Sequence, residues 1–400
     1  MTLLVDGGAA LFASRNPRDY DLAPGGCGIV TTGAGGCKPM ITADRAPGSG
    51  IMGDGAIDGR GGAKLIGQDV TWWELAHTAK VLDQRQTVPR MLAVTQSDDF
   101  TLYRITLRNS PNFHVGVNQT NGFTAWGVKI RTPKTARNTD GIDPSSSTNV
   151  TIVYCDIATG DDNVAIKTGL TPAAHMTIAH NHFYSGHGMS IGSGTSGGVS
   201  AIRVSDLTLD GTDNGIRIKS DRSRGGVVQD VSYENVCMRD VTNPITVTSL
   251  YTTAPGNRLP VYRDIRLKDV HSVTAGWVTL LGLDAEHKMG VSLDNVTVDG
   301  LRPAEVKVEN AEIRGVVAAE SAAGCQGRFV PFPAISSAPE AAVTAMPEDK
   351  TFYVAASGTG DYYSIQRAID VAPGEGGVIS IAPGVYRETL KISKPNCVCR

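Results

Sequence analysis

A strand-like segment recurs along the middle of this chain, and its period is the strongest constraint on what the chain can fold into. It runs Phe100-Thr-Leu-Tyr-Arg-Ile-Thr-Leu, Phe123-Thr-Ala-Trp-Gly-Val-Lys-Ile, Val150-Thr-Ile-Val-Tyr-Cys-Asp-Ile, Met176-Thr-Ile-Ala-His-Asn-His-Phe and Ile202-Arg-Val-Ser-Asp-Leu-Thr-Leu, and continues at Val231, Ile265 and Val291. The starts lie about 23 to 34 residues apart. Each unit alternates apolar positions before closing on Asn, Asp or Gly, the form of a stacked repeat.

Units of this length, with two or three short strands and no helix, predict an all-β chain wound as a right-handed parallel β-helix. A β-sandwich also has short strands at regular spacing, but it would not repeat its sequence from turn to turn. In a β-helix, residues one coil apart lie about 4.8 Å apart in space. Polar groups scattered over a long stretch can then share one cleft.

The 46 glycines and 6% aromatics fit many short strands and tight turns. A formal charge of -3 gives no basic excess for nucleic acid, and no window of about twenty apolar residues suits a membrane. Neither nucleic acid nor membrane is expected as a partner. The start, Met1-Thr-Leu-Leu-Val-Asp-Gly-Gly, lacks the segments of a signal peptide, so either the chain is cytosolic or its export signal is missing. Cys27 and Cys37 bracket a Gly-rich loop and are the disulfide candidates. Cys155 and Cys237 sit in strand-like runs and read as buried thiols.

Leu3 to Val5, Ile29 to Thr31 and Ile51 to Ile57 read as short strands, and Val70 to Val81 has helical spacing. The repeat extends to about residue 318. Residues 319–347 are rich in Pro, Ala and Ser and read as a linker. From residue 348 a new pattern begins, with a strand at Thr351, a short amphipathic helix over Ser364 to Ala372 and a strand from Val378. It is too short for an ordinary independent core and reads as the beginning of a second domain.

The candidate chemistry lies between Asn138 and Lys219. Asp161 and Asp162 are adjacent, and Gly160 and Asn163 around them suggest a bend in which both could face one cleft. Clustered carboxylates cannot all ionise freely, so one keeps a raised pKa and can give up a proton while another stays a base. Hydrolysis of a glycosidic bond needs that division, though a solvated or Ca²⁺-binding turn has the same composition. Asp140 lies about one coil upstream in a similar turn. His187, between two glycines, could hydrogen-bond a carboxylate or be an ordinary surface histidine.

His180 and His182 alternate with Asn181 and would face one side of a strand, but no third ligand stands at metal-binding spacing. Arg217 and Lys219 are two apart on a strand and would point to one face, suiting a carboxylate-bearing ligand. Tyr251 could stack on a sugar ring or belong to the core.

Together, Asn138-Thr-Asp-Gly-Ile-Asp, Thr159-Gly-Asp-Asp-Asn, Gly186-His-Gly-Met-Ser-Ile-Gly-Ser and Arg217-Ile-Lys resemble the polygalacturonases of glycoside hydrolase family 28, most of all the bacterial endo-acting ones. The similarity runs from about Leu3 to about Gly315 and takes in the Cys27 to Cys37 loop. It implies a parallel β-helix that hydrolyses α-1,4-linked galacturonate in demethylated pectin with inversion.

By the resemblance, Asp161 is the general acid, Asp140 and Asp162 hold and activate water, and His187 supports the acid. Arg217 and Lys219 grip the substrate carboxylate, with Asn138 and Tyr251 as further substrate contacts. It also implies a secreted monomer acting on pectin without metal or cofactor. Two departures stand out. The family's first coil looks shortened before Leu3, and residues 348–400 resemble the opening of pectin methylesterases without their catalytic residues, so no esterase activity is expected.

Overall fold

The computed structural model describes residues 1–320, 325, 327–335, 351–357, 360–372, 378–382, 384–392 and 398–399. Most of the proline-rich linker, residues 321–324, 326 and 336–347, lies outside them. Two compact units are present, Met1–Thr139 with Pro333–Arg400, and Asp140–Phe332.

Both units are built of parallel strands in the right-handed β-helix expected from the repeat. The first residues of successive repeats are Cα partners: Phe100 with Phe123 in the first unit, and Val150, Met176, Ile202, Val231, Ile265 and Val291 in sequence in the second. All of them are buried, so each apolar position stacks on its equivalent in the next coil. This burial is the main driving force of the fold.

On another side of the second unit, the strands Ile142–Ser145, Val164–Thr168, Met189–Thr195, Asn214–Lys219, Asn243–Thr248 and Val278–Leu281 pair in the same parallel way. Ile216 and Ile218 point into the core. Arg217 between them points out.

The polar residue that closes each repeat has a specific task. Tyr154, His180, Asp206, Asn235, Asp269 and Asn295 have φ between 51° and 58°, so the corner between two strands turns through the left-handed region. Asn and Asp tolerate that conformation better than most residues, because their short side chains hydrogen-bond locally. Asn295 Nδ2, for example, donates to Asp269 Oδ1 at 2.6 Å.

Two sequence expectations change here. His180 and His182 do not share a strand face, because the chain turns at His180. The buried Asn181 donates to Ile152 O and accepts from Cys155 N, while His180 stacks on Tyr154 and His182 meets Thr208 Oγ1. Cys237 is not a thiol but is disulfide-bonded to Cys325, 88 residues on. Spacing in sequence carries no sign of such a pairing. Cys27 is joined to Cys37, and Cys155 is a buried thiol as expected.

The helix in the first unit spans Trp72–Val81, capped by a reciprocal Thr71–Glu74 pair and burying Trp72, Ala76 and Ala79 at helical spacing. The C-terminal segment packs in the same unit. Leu390, Lys391 and Ile392 are parallel partners of Ile41, Thr42 and Ala43, and Val378, Ile379 and Ser380 of Thr2, Leu3 and Leu4. The helix Ile365–Val371 buries Ile365, Ala368 and Ile369, and its first backbone amides donate to the Glu388 carboxylate. These residues extend both sheets ahead of the first strands, where a preceding coil of the repeat would stand.

Leu390 is buried within this packing. Leu390→Ala should therefore lower unfolding free energy by about 2 to 5 kcal/mol in urea titration, while Lys391→Ala stays within about 0.5 kcal/mol of wild type. Equal, negligible effects would mean the segment does not hold the unit together.

Candidate active site

The site grows from one buried side chain. Asn163 Nδ2 donates to Ile157 O and Ser185 O, each at 3.0 Å, and its Oδ1 accepts from Gly188 N at 2.9 Å. It thereby ties the 160–163 bend to the loop around His187. His187 N also donates to Asp161 O at 2.9 Å. The glycines flanking His187 are required by contact: a Cβ on Gly186 (φ 130°) would lie 2.4 Å from Thr159 Oγ1, and one on Gly188 (φ 79°) 2.1 Å from Asn214 O.

Asp161 and Asp162 lie in the bend before the strand Val164–Thr168, where the backbone is free of strand alternation. Asp161 Oδ1 is 3.0 Å from His187 Nδ1, and His187 Nε2 is 3.4 Å from Asp213 Oδ2. Asp162 is buried and heavily bonded. Its Oδ1 accepts from Ser190 Oγ at 2.7 Å and Arg217 at 3.2 Å, and its Oδ2 from Lys219 Nζ at 2.8 Å.

The guanidinium of Arg217 and the ammonium of Lys219 stand 5.6 and 5.5 Å from the ring centre of Tyr251, which brings that residue onto the same face. Asp140 is buried, and its Oδ2 accepts from Lys167 Nζ at 3.1 Å. Asn138 belongs to the first unit, where its Oδ1 accepts from Gln86 Nε2 at 3.0 Å. Asp140, Asp161, Asp162, His187, Arg217, Lys219 and Tyr251 all belong to the second unit.

A domain profile described as Glycosyl hydrolases family 28 matches residues 29–323. The chain belongs to this family. It is 48% identical to an endo-polygalacturonase of Pectobacterium parmentieri over 314 residues, 78% of each chain. It is 42% identical to a polygalacturonase of Ralstonia solanacearum over 349 aligned residues, 76% of this chain and 66% of that one. Among solved structures, the polygalacturonase of Erwinia carotovora ssp. carotovora superposes with a TM-score of 0.74 at 46% identity, covering 78% of this chain and 83% of that one.

In this family 28 chain the carboxylates are not equivalent. Burial would raise Asp161, but the hydrogen bond and charge of His187, the Asp162 amide and Lys219 outweigh it and hold the carboxyl at about 2. His187 is raised by the same hydrogen bond, against burial. Two carboxyls are raised: Asp140, pushed well up by burial and by Asp143, with Lys167 opposing, and Asp143, pushed up by burial against Lys167. A raised pKa within the cluster was expected from sequence. It falls on Asp140 and Asp143 and not on Asp161.

The oxygen of Asp161 and that of Asp162 which lean toward His187 are within 4.8 Å of one another. Asp161, Asp162 and His187 could in principle converge on a cation, but Arg217 and Lys219 already supply positive charge to Asp162. Sequence reading did not single out Lys167, Asp143 or Ser190 for the site. The register holds the missing signal, since Ser145 pairs with Lys167 and Ser190 with Arg217.

The Asp161–His187 pair also carries a pH signature. Asp161 is lowered, so its contribution is present above the usual 3.8 and fades as pH falls toward about 2. His187 is raised, so its contribution is present below 6.5 and fades as pH rises through its higher folded value. His187→Ala should cost about 1 to 2 kcal/mol between roughly pH 4 and 6.5, and less at pH 9. Thermal melts across pH check this, and a penalty independent of pH would contradict the pairing.

Proposed function

We propose that this chain is an endo-polygalacturonase that hydrolyses α-1,4-galacturonosidic linkages in demethylated pectin, with inversion at the anomeric carbon. The observation that carries the reading is the Asp161–His187 hydrogen bond beside an Asp162 clamped by Arg217 and Lys219. It stands in a chain 48% identical to an endo-polygalacturonase.

Asp161 protonates the glycosidic oxygen as the bond to the anomeric carbon breaks. In the free protein Asp161 is lowered and His187 raised, so a proton shared by the pair favours His187, one hydrogen bond away. Substrate that covers the pair removes water from it and favours the neutral arrangement, with the proton on Asp161. Asp140 takes a proton from the water that attacks the opposite face of the sugar, while Asp162, bound through both oxygens, orients that water. Arg217 and Lys219 extend positive charge toward the uronate carboxylate, and Tyr251 offers a ring beside them for the sugar.

The protein acts outside the cell as a monomer. Its two disulfides support an oxidising compartment.

Incubation with polygalacturonate should release mixed oligomers early, with saturated ends. Monomer or dimer alone would mean exo action, and unsaturated ends absorbing in the ultraviolet would mean a lyase. Asp161→Asn should lower reducing-end release by about 10²- to 10⁴-fold or more while costing no more stability than His187→Ala. Substantial activity in that variant would overturn its role. Arg217→Ala should lower kcat/KM on polygalacturonate far more than it lowers stability, and an unchanged kcat/KM would contradict the carboxylate grip.

A further inference from the structure

The geometry points to Lys167 as a positioning residue for the reaction: its ammonium, bridging Asp140 and Asp143, keeps Asp140 able to accept the proton of the attacking water. This rests on the glycosidase reading above. Lys167 lies in the strand Val164–Thr168, one coil after Asp143 in the strand Ile142–Ser145. Its Nζ is 2.7 Å from Asp143 Oδ2 and 3.1 Å from Asp140 Oδ2. The two carboxylate side chains are each only 4% exposed, so water can do little to solvate their charge. Among the described residues, Lys167 is the only cation paired with Asp143.

The charged groups facing Asp140 come from three places. Asp143 faces it from its own strand, Lys167 from the next coil, and Asp161 and Asp162 from the bend before that strand. Three of these four are carboxylates. Burial and then Asp143 push Asp140 toward its protonated form, and Lys167 opposes them. A protonated Asp140 is far too weak a base to take the water's proton.

Arg217 and Lys219 cannot substitute, because they are hydrogen-bonded to Asp162. Lys167 itself stays charged: burial would lower it, but Asp143, Asp140 and Asp162 outweigh that and raise it. Lys167 therefore acts through Asp140 and does not need to touch the sugar.

The test is the pH dependence of kcat on polygalacturonate. Lys167→Met should move the acid limb up by about 1 to 3 pH units with KM on the plateau little changed, and Lys167→Arg should leave the limb in place. Asp143→Asn removes a like charge and should move the limb down, and the double variant should return toward wild type. A Lys167→Met limb that coincides with wild type, or an activity loss equal at every pH, would overturn the proposal.

If Lys167→Met does not fold, Asp143→Asn and Lys167→Arg decide the matter, and an unmoved limb in Asp143→Asn overturns it. Titration of the ¹³C-labelled Asp140 carboxyl by NMR gives a readout without substrate. Should wild type fail to cleave polygalacturonate, the functional reading falls. The Asp140 titration, higher in Lys167→Met or unchanged, still decides the role of Lys167.

Discussion

Buried negative charge is the constraint around which the second unit is arranged. Asp140, Asp143 and Asp162 are 3%, 3% and 2% exposed. Carboxylates so removed from water persist as anions only beside a cation or strong donors, and stripping one partner from a buried pair costs about 3 to 5 kcal/mol. The cations that meet this need, Lys167, Arg217 and Lys219, project from strands one or two coils further along. In-register stacking is what delivers them. A slip of one residue would exchange Arg217 with Ile216 or Ile218 and leave both the core and Asp162 unsatisfied.

The charge is balanced unevenly, and the imbalance divides the labour. Asp162 has two cations and a hydroxyl on its two oxygens, which suits a fixed anion that orients water or substrate. Asp140 and Asp143 share one lysine, and burial keeps both carboxyls above the usual carboxylate range. Asp161 has a titratable partner in His187, so its proton can be stored one hydrogen bond away. Three nearby aspartates thus acquire three behaviours from their neighbours alone.

The coil period was legible in sequence because the fold repeats the same burial at the same position: Val150, Met176, Ile202, Val231, Ile265 and Val291 became stacked partners. The outward pairing of Arg217 and Lys219 was legible for the same reason, strand alternation. What failed to show was whatever depends on the corners or on distance. His180 turns the chain out of the strand that its spacing suggested, and Cys325 reaches Cys237 from far along the chain. The bond of Lys167 to Asp143 requires a register, which a strand-like string of letters does not contain. The C-terminal helix and strands were visible as elements. Their pairing with Thr2–Leu4 and Ile41–Asp44 was not, because an edge strand carries no mark of its partner.

The acid poses the sharpest physical question. Sequence reasoning expects a general acid to be the carboxyl with the raised pKa, yet Asp161 is held at about 2 and the raised groups are Asp140 and Asp143. The two facts are compatible if the acid is considered as a pair. When His187 is protonated, it forms with the Asp161 carboxylate an ion pair that is partly open to water, with side chains 32% and 19% exposed. A sugar chain laid over it excludes that water, and separated charge is then disfavoured relative to neutral imidazole and carboxylic acid. In the proposed mechanism the proton then crosses a single hydrogen bond, and Asp161 becomes a competent acid when substrate is present. Gly186 and Gly188, where a Cβ would collide with Thr159 Oγ1 and Asn214 O, let the loop hold His187 against Asp161 and so make that pairing possible.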